Sequence, residues 1–199
     1  MAFSQYFNIT LKFAVLVLSI ICLPNSLTAQ SGEELLASFL GTMNSIDSFR
    51  GSITIAGQSG TISYKKPHNL QVKFSDGRII SANGSKLWFY NPARGIAGNQ
   101  DLRGGTGGLY GLLSGYESVT ASGKTLRLVS SKKGYEEIII SLTPNNLLRT
   151  IRMRPRGGTE FMEISISGLQ TNIGLPASLF NFHPPSNAQV VENALNQRE

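Results

Sequence analysis

Leu35, Leu36, Phe39, Leu40, Met43 and Ile46 recur at spacings of three and four, the period that gathers side chains into one stripe along a helix. Just ahead of them, Ser31-Gly32-Glu33-Glu34 has the form of a capping box, in which the serine accepts from an early backbone N–H and the glutamate reaches back. The pattern predicts an amphipathic helix that must lie on another element. From Phe49 onward the period changes to two, in short runs broken by Gly, Pro and Asn, the mark of strands joined by tight turns. Strands are predicted at residues 52–56, 61–66, 70–74, 79–82, 85–90, 125–130, 135–142, 148–153 and 159–167, with Thr143-Pro144-Asn145-Asn146 as a hairpin turn. The array is a long antiparallel meander, and a second, short helix is predicted at residues 109–113.

One stretch departs from the pattern of a sheet with one wet face. In Ser-Lys-Leu-Trp-Phe-Tyr-Asn-Pro, residues 85–92, alternation points Leu87 and Phe89 one way and Trp88 and Tyr90 the other. Both faces are apolar, so both need cover. A curved antiparallel sheet can enclose a cavity on its concave side, with a helix closing it. The fold class expected is therefore α+β, and the alternative is an ordinary filled core. The pattern does not say which parity faces inward. Between the two groups of strands lies a glycine-rich connection, residues 93–108, with Gly95, Gly98, Gly104, Gly105, Gly107 and Gly108. A connection of that length reads as a lid or binding loop, costly to order and therefore mobile. With the following helix it would form a gate, Leu109, Leu112 and Leu113 plugging the opening.

The first 30 residues belong to no part of this array. Lys12 precedes an apolar run from Phe13 to Leu23, then Pro24-Asn25-Ser26, then Ala29. That is the layout of a secretory signal peptide, so residues 1–29 are expected to be removed and 30–199 to form a single domain. The apolar run is shorter than the roughly 20 residues that cross a bilayer. Cys22 is the one cysteine and follows Ile20-Ile21, where a lipidation signal would have a small residue. It is read as one more apolar residue of the signal, which leaves no thiol in the exported chain. The net charge is +6 from 18 Lys and Arg against 12 Asp and Glu, of which the signal holds only Lys12. The basic residues scatter apart from Lys65-Lys66, Lys132-Lys133 and the group between Arg149 and Arg156. No aromatic and basic motif for nucleic acid accompanies them. Arg149, Arg152 and Arg154 are expected to coat a solvated sheet face, the alternative being contact with anionic headgroups or an acidic partner.

A search for catalysis finds little. Ser122-Gly-Lys-Thr125 resembles the end of a phosphate loop, but position 118 is Ser where that motif needs Gly, and a strand-like run follows where it needs a helix. There is no G-x-S-x-G elbow. His68 and His183 each neighbour proline in turn-like sequence, without ligand spacing to other metal-binding residues. The acids read as caps, turn residues and solvated strand positions. Neither an enzyme nor a resident metal or cofactor is expected.

Three stretches in order carry a family resemblance: GTISYKKPHNLQVKF at 60–74, GRIISANGSKLWFYNP at 77–92 and SLFNFHPPSNAQVV at 178–191. They are similar to the periplasmic outer-membrane lipoprotein carrier (LolA) family over nearly the whole exported chain. The resemblance implies a half-barrel of antiparallel strands lidded by short helices around an apolar cavity that holds lipoprotein acyl chains. On this reading the cavity is lined by Leu36, Phe39, Leu40, Met43, Ile62, Tyr64, Leu70, Val72, Phe74, Leu87, Phe89, Leu109, Leu112 and Leu113. Lys66 stands where the family has an arginine tied to lid closure, and it lacks that residue's forked planar contact. Leu70 and Val72 replace an aromatic pair. The implied partners are lipoproteins, an inner-membrane lipoprotein-releasing ABC transporter and, if present, the outer-membrane receptor LolB, with the chain itself a periplasmic monomer. Two other readings share the fold: a sensor or scaffold that binds a protein partner, and a membrane-anchored LolB-like receptor, which would need a lipidated Cys22.

Overall fold

The computed structural model describes residues 31–102 and 108–194. The expected signal peptide, Cys22 and the stretch containing Gly104, Gly105 and Gly107 lie outside these residues. Helix α1, Gly32–Ser45, begins as its sequence predicts: the Glu34 amide donates to Ser31 Oγ at 3.1 Å, and the Ser31 amide donates to Glu34 Oε2 at 3.0 Å. Helix α2 is short, Gly108–Leu113.

Twelve strands form one open sheet. They are β1 Ser48–Ile55, β2 Gln58–Lys65, β3 Asn69–Phe74, β4 Ile79–Asn83, β5 Lys86–Asn91, β6 Ile96–Asp101, β7 Ser118–Ser122, β8 Thr125–Val129, β9 Tyr135–Leu142, β10 Leu148–Pro155, β11 Met162–Thr171 and β12 Gln189–Val191. Their order across the sheet is β12-β6-β5-β4-β3-β2-β1-β11-β10-β9-β8-β7, so the two meanders meet where β1 pairs with β11. All pairings are antiparallel except that of β12 with β6.

One hydrophobic core shows that this sheet bends. Side chains from β3, β2, β1, β11, β10, β9 and β8 join a single cluster with Leu35 and Phe39 of α1 and Leu113 of α2, the last three fully buried. Neighbouring strands lie about 4.8 Å apart, and strands that far apart along a flat sheet could not all reach one helix. The helix sits deepest against β7 and β8. Its start comes so close that a Cβ on Gly32 would collide with the carbonyl of Val119, which is why glycine occupies that position.

The register fixes the inward face. Phe49 pairs with Tyr64, Tyr64 with Leu70, Leu70 with Ala82 and Ala82 with Leu87; a parallel row runs through Ile62, Val72, Ile80 and Phe89. Trp88 and Tyr90 therefore face the convex side. Their cover is the segment after β11. Phe182 meets Trp88 edge-on at 5.9 Å and Tyr90 at 5.6 Å between ring centroids, and Phe180, in a 3-10 turn spanning Ala177–Phe180, is buried. Strand polar groups hold the segment down: Lys65 Nζ donates to the Leu175 carbonyl at 2.9 Å, Ser81 Oγ to that of Phe180 at 3.1 Å, and Gln71 to that of Leu179.

The other half of the convex face is charged. Arg154 pairs with Glu136 at 2.7 Å and Glu137 at 2.6 Å, Arg127 pairs with Glu137 at 2.7 Å, and Arg152 with Glu163 at 3.7 Å. Phe161 packs beneath the guanidiniums of Arg152 and Arg154, 4.7 and 5.5 Å from its ring centre. Glu137 departs from the sequence reading of a solvated position, since its neighbours bury it. Burial pushes its carboxyl up, but hydrogen bonds and charge from Arg127 and Arg154 outweigh that and hold it below the ordinary glutamate range.

The glycine-rich connection also differs from expectation. Its middle forms β6, where Ala97, Gly98 and Asn99 are buried between β5 and β12. Strands β7 and β12 are further elements, the first a short alternation of Ser and Thr with Val and Ala that is not among the predicted strands, the second only three residues long.

Phe180→Ala, which empties a buried site under the convex cover, is expected to cost about 3–5 kcal/mol in chemical denaturation; a loss under about 1 kcal/mol would show that the segment is a dispensable layer. For Glu137 the folded pKa is depressed, so its stabilisation is present above the unfolded value of about 4.3 and is lost as pH falls through the folded value. Glu137→Gln is thus less stable than the parent at neutral pH, and the gap closes on acidification below about pH 4. A gap that stayed constant with pH would contradict the assignment.

Candidate functional site

Beneath the C-terminal half of α1 the concave face is not filled. A cavity of about 990 Å³ lies there, at the upper end of the roughly 300–1,000 Å³ typical of small-molecule sites. Its roof is Leu40, Gly41, Met43 and Asn44 of α1 with Leu109, Tyr110 and Leu112 of α2; its floor is Phe49, Ile62, Tyr64, Leu70 and Ala82 of the first meander with Leu148 and Ile166 of the second. Phe49 and Tyr64 stack at 5.2 Å between ring centroids, a rigid aromatic step in that floor. The turn between β2 and β3 supplies Lys66, Pro67 and His68 at the mouth, where Tyr110 is exposed at 68% of its surface.

Lys66 ties the mouth to the roof. Its Nζ donates to the Asn44 carbonyl near the end of α1 and lies 3.2 Å from Asp47 Oδ1, while its backbone N–H donates to the Asp47 carbonyl at 2.8 Å. A cation at that end of a helix is favourably placed against the helix dipole. The ion pair itself is solvent-exposed, with Asp47 at 80%, and an exposed pair contributes about 0–1 kcal/mol.

Of the side chains singled out from the sequence, Leu40, Met43, Ile62, Tyr64, Lys66, Leu70, Leu109 and Leu112 come together around this cavity. Phe39 and Leu113 are fully buried in the core beside it, Val72 is buried there too, and Leu36 packs against that core. Phe74 and Phe89 border a different hollow, and Leu87 lies half-buried on β5 outside both linings. The lining residues that the pattern did not suggest are Gly41, Asn44, Phe49, Pro67, His68, Ala82, Tyr110, Leu148 and Ile166. Phe49, Leu148 and Ile166 sit on predicted strands or their flanks, but only the β1–β11 junction brings them together. The expected plug also divides: Leu109 and Leu112 border the cavity, whereas Leu113 is core.

The phosphate-loop look-alike has a plain structural role. Ser122 pairs with Thr125, so Gly123 and Lys124 are the two-residue turn between β7 and β8. His183 Nδ1 lies 3.1 Å from the Asn181 carbonyl in its own turn. Among the described residues no group of three His, Cys, Asp or Glu could hold a metal, and no helix is long and apolar enough to cross a membrane.

No family model matches the chain. It is 26% identical to an outer-membrane lipoprotein carrier protein of Nitrosospira multiformis, the match covering 64% of each chain. It is 24% identical to an outer-membrane lipoprotein carrier protein of Legionella pneumophila (strain Lens), covering 82% of this chain and 91% of that one. The chain thus spans a little under two thirds of the first relative and most of the second. Among solved structures, an uncharacterized conserved protein from Thermus thermophilus superposes with a TM-score of 0.55 at 12% identity, over 80% of this chain and 98% of that one, a likeness of fold alone. The resemblance to outer-membrane lipoprotein carrier proteins carried by residues 60–74, 77–92 and 178–191 is therefore borne out, at low identity, by curated relatives that align with most of the chain.

Proposed function

We propose that this chain holds the acyl chains of lipoproteins in the cavity beneath α1 and α2 and shuttles them through the periplasm, from an inner-membrane ABC transporter to an outer-membrane receptor. The observation that carries the reading is the cavity of about 990 Å³ with aliphatic and aromatic walls, its side-chain polar groups being those of Asn44, Lys66 and His68 and the hydroxyls of Tyr64 and Tyr110. Such a space offers an acyl chain about 0.8 kcal/mol for each methylene removed from water, and offers a polar ligand few partners. The cargo class comes from the names of the relatives, which are called carriers of outer-membrane lipoproteins. The sensor or scaffold reading would be better served by a filled core beneath the helices. The receptor reading turns on Cys22, and mass spectrometry of the exported N-terminus separates it from the carrier: an acylated cysteine there would favour the receptor.

The exported protein is expected to bind a fluorescent fatty acid and to release it when a diacylated lipopeptide is added. Failure to bind any acylated molecule would sink the proposal. Leu112→Ser, on the cavity wall, is expected to weaken probe binding by roughly tenfold, about 1.4 kcal/mol of lost apolar contact. Lys66→Ala, which removes an exposed latch, changes it by less than about threefold. A larger effect of Lys66→Ala than of Leu112→Ser would show that the cation rather than the apolar wall governs retention. Leu113→Ser acts differently, lowering stability by about 2–5 kcal/mol because it strikes the filled core.

A further inference from the structure

The concave face carries a second hollow that shares no lining residue with the first. It has a volume of about 440 Å³ and lies toward the turn between β3 and β4, whereas the first opens toward the turn between β2 and β3. Phe74, Ile80, Phe89 and Gly98 form its floor, the last three being cross-strand partners on one face. Gly98 continues that row, and its missing side chain lets the chain beyond β12 come close above it. The far wall is made by the chain beyond β12: a Cβ on Gly98 would stand 3.1 Å from the Ala194 methyl, and the Ala194 amide donates to the Asn99 carbonyl at 2.9 Å, which fixes the wall to β6. Arg78 stands at the rim with its guanidinium 5.0 Å over the Phe74 ring and its Nε 2.7 Å from Asp76. A cation therefore stands over one edge of an otherwise apolar floor, paired with Asp76.

The two hollows belong to one surface. On β4, Ile80 borders the second and Ala82 the first. These are next neighbours on the same face, about 7 Å apart. On β3, Phe74 and Leu70 divide in the same way, with buried Val72 between them. An alkyl chain lying over Leu70 and Ala82 therefore has, one ridge away, a separate apolar bed, and the two beds are bounded by different parts of the protein.

We propose that this second hollow is a second acyl-chain compartment, so that a diacyl cargo is held with one chain beneath α1 and α2 and the other over Phe74, Ile80 and Phe89. The inference rests on the acyl-carrier reading above and adds to it a preference for ligands with two chains. The test uses the exported protein with a dipalmitoylated lipopeptide and its monopalmitoylated counterpart, each measured by displacement of a fluorescent fatty acid. The unmodified protein is expected to bind the diacyl form at least about tenfold more tightly. Ala194→Trp and, as an independent plug, Val191→Trp place a large ring in the second hollow from its wall, and thermal melting checks that each variant is folded. Either plug is expected to bring diacyl binding to within about threefold of monoacyl binding while leaving the monoacyl affinity unchanged. If folded plugged variants keep the full diacyl advantage, or if the unmodified protein shows none, the second compartment is refuted while the carrier reading stands. If the unmodified protein binds neither lipopeptide, the carrier reading itself falls.

Discussion

A strand with large apolar side chains on both faces cannot leave either face in water, and β5 is such a strand. Burying Trp88 and Tyr90 on the convex side requires a separate layer, which the chain makes from the stretch after β11, with Phe180 and Phe182 as its contacts. That layer is irregular backbone laid over a sheet, and it is stable because strand side chains donate to its carbonyls from Lys65, Gln71 and Ser81. Each bond satisfies an acceptor that burial would otherwise strand. Once the convex face of the first meander is covered by the chain itself, the apolar surface left to cover is on the concave side, and among the described residues α1 and α2 are its only helical cover.

The helices are too small for that surface. Helix α1 has 14 residues, about 21 Å at 1.5 Å per residue, while twelve paired strands extend for about 50 Å across the sheet. Because α1 packs against β7 and β8, it fills the second meander's face and covers part of the first meander's only as the roof of a cavity. The core is therefore complete over β8 to β10, where Leu126, Leu128, Ile138 and Ile140 are fully buried. It is incomplete over β2 to β6. Both hollows fall in that shortfall, so they follow from a mismatch of lengths rather than from any single cavity-making residue.

The same contrast explains what could be read from the sequence. The capping box at Ser31, the two-residue alternations and the Thr143–Asn146 turn depend on neighbours in the chain; the cap and the turn stand where the pattern puts them, and the predicted strands overlap the observed ones with ends that shift by up to four residues, as at β1 and β11. Strand β6 was illegible because Ile-Ala-Gly-Asn-Gln-Asp has neither alternation nor β-branched bulk beyond its first residue; it becomes a strand because β5 and β12 pair with it. Pairing with β12 joins residues more than ninety positions apart, which no local period records. Glu137 was illegible for the same reason, since its burial comes from Arg127 and Arg154 on the strands at either side. At the cavity, helical spacing found Leu40 and Met43, but it grouped them with Leu36 and Phe39, which point into the filled part of the core. Stripe and period give the apolar face of an element; register and helix position decide where on that face a space remains.

The two halves of α1 are held by different forces, and that bears on how a lipid would enter. The N-terminal half is fixed by the capping box and by Leu35 and Phe39, both fully buried, contacts worth several kcal/mol together. The C-terminal half roofs the cavity and contains Gly41, whose backbone freedom costs a helix interior about 0.5–1 kcal/mol relative to alanine. Its end is fastened by Lys66 to the Asn44 carbonyl and to exposed Asp47, an ion pair worth no more than about 1 kcal/mol. At about 0.8 kcal/mol per methylene, burying two or three methylenes of an acyl chain offsets the loss of that fastening. On the carrier reading proposed above, an acyl chain would thus lift this roof without disturbing the core, and the roof would close again when the chain leaves. On that reading an arginine at position 66, with its planar fork, would raise the cost of lifting above that set by the lysine.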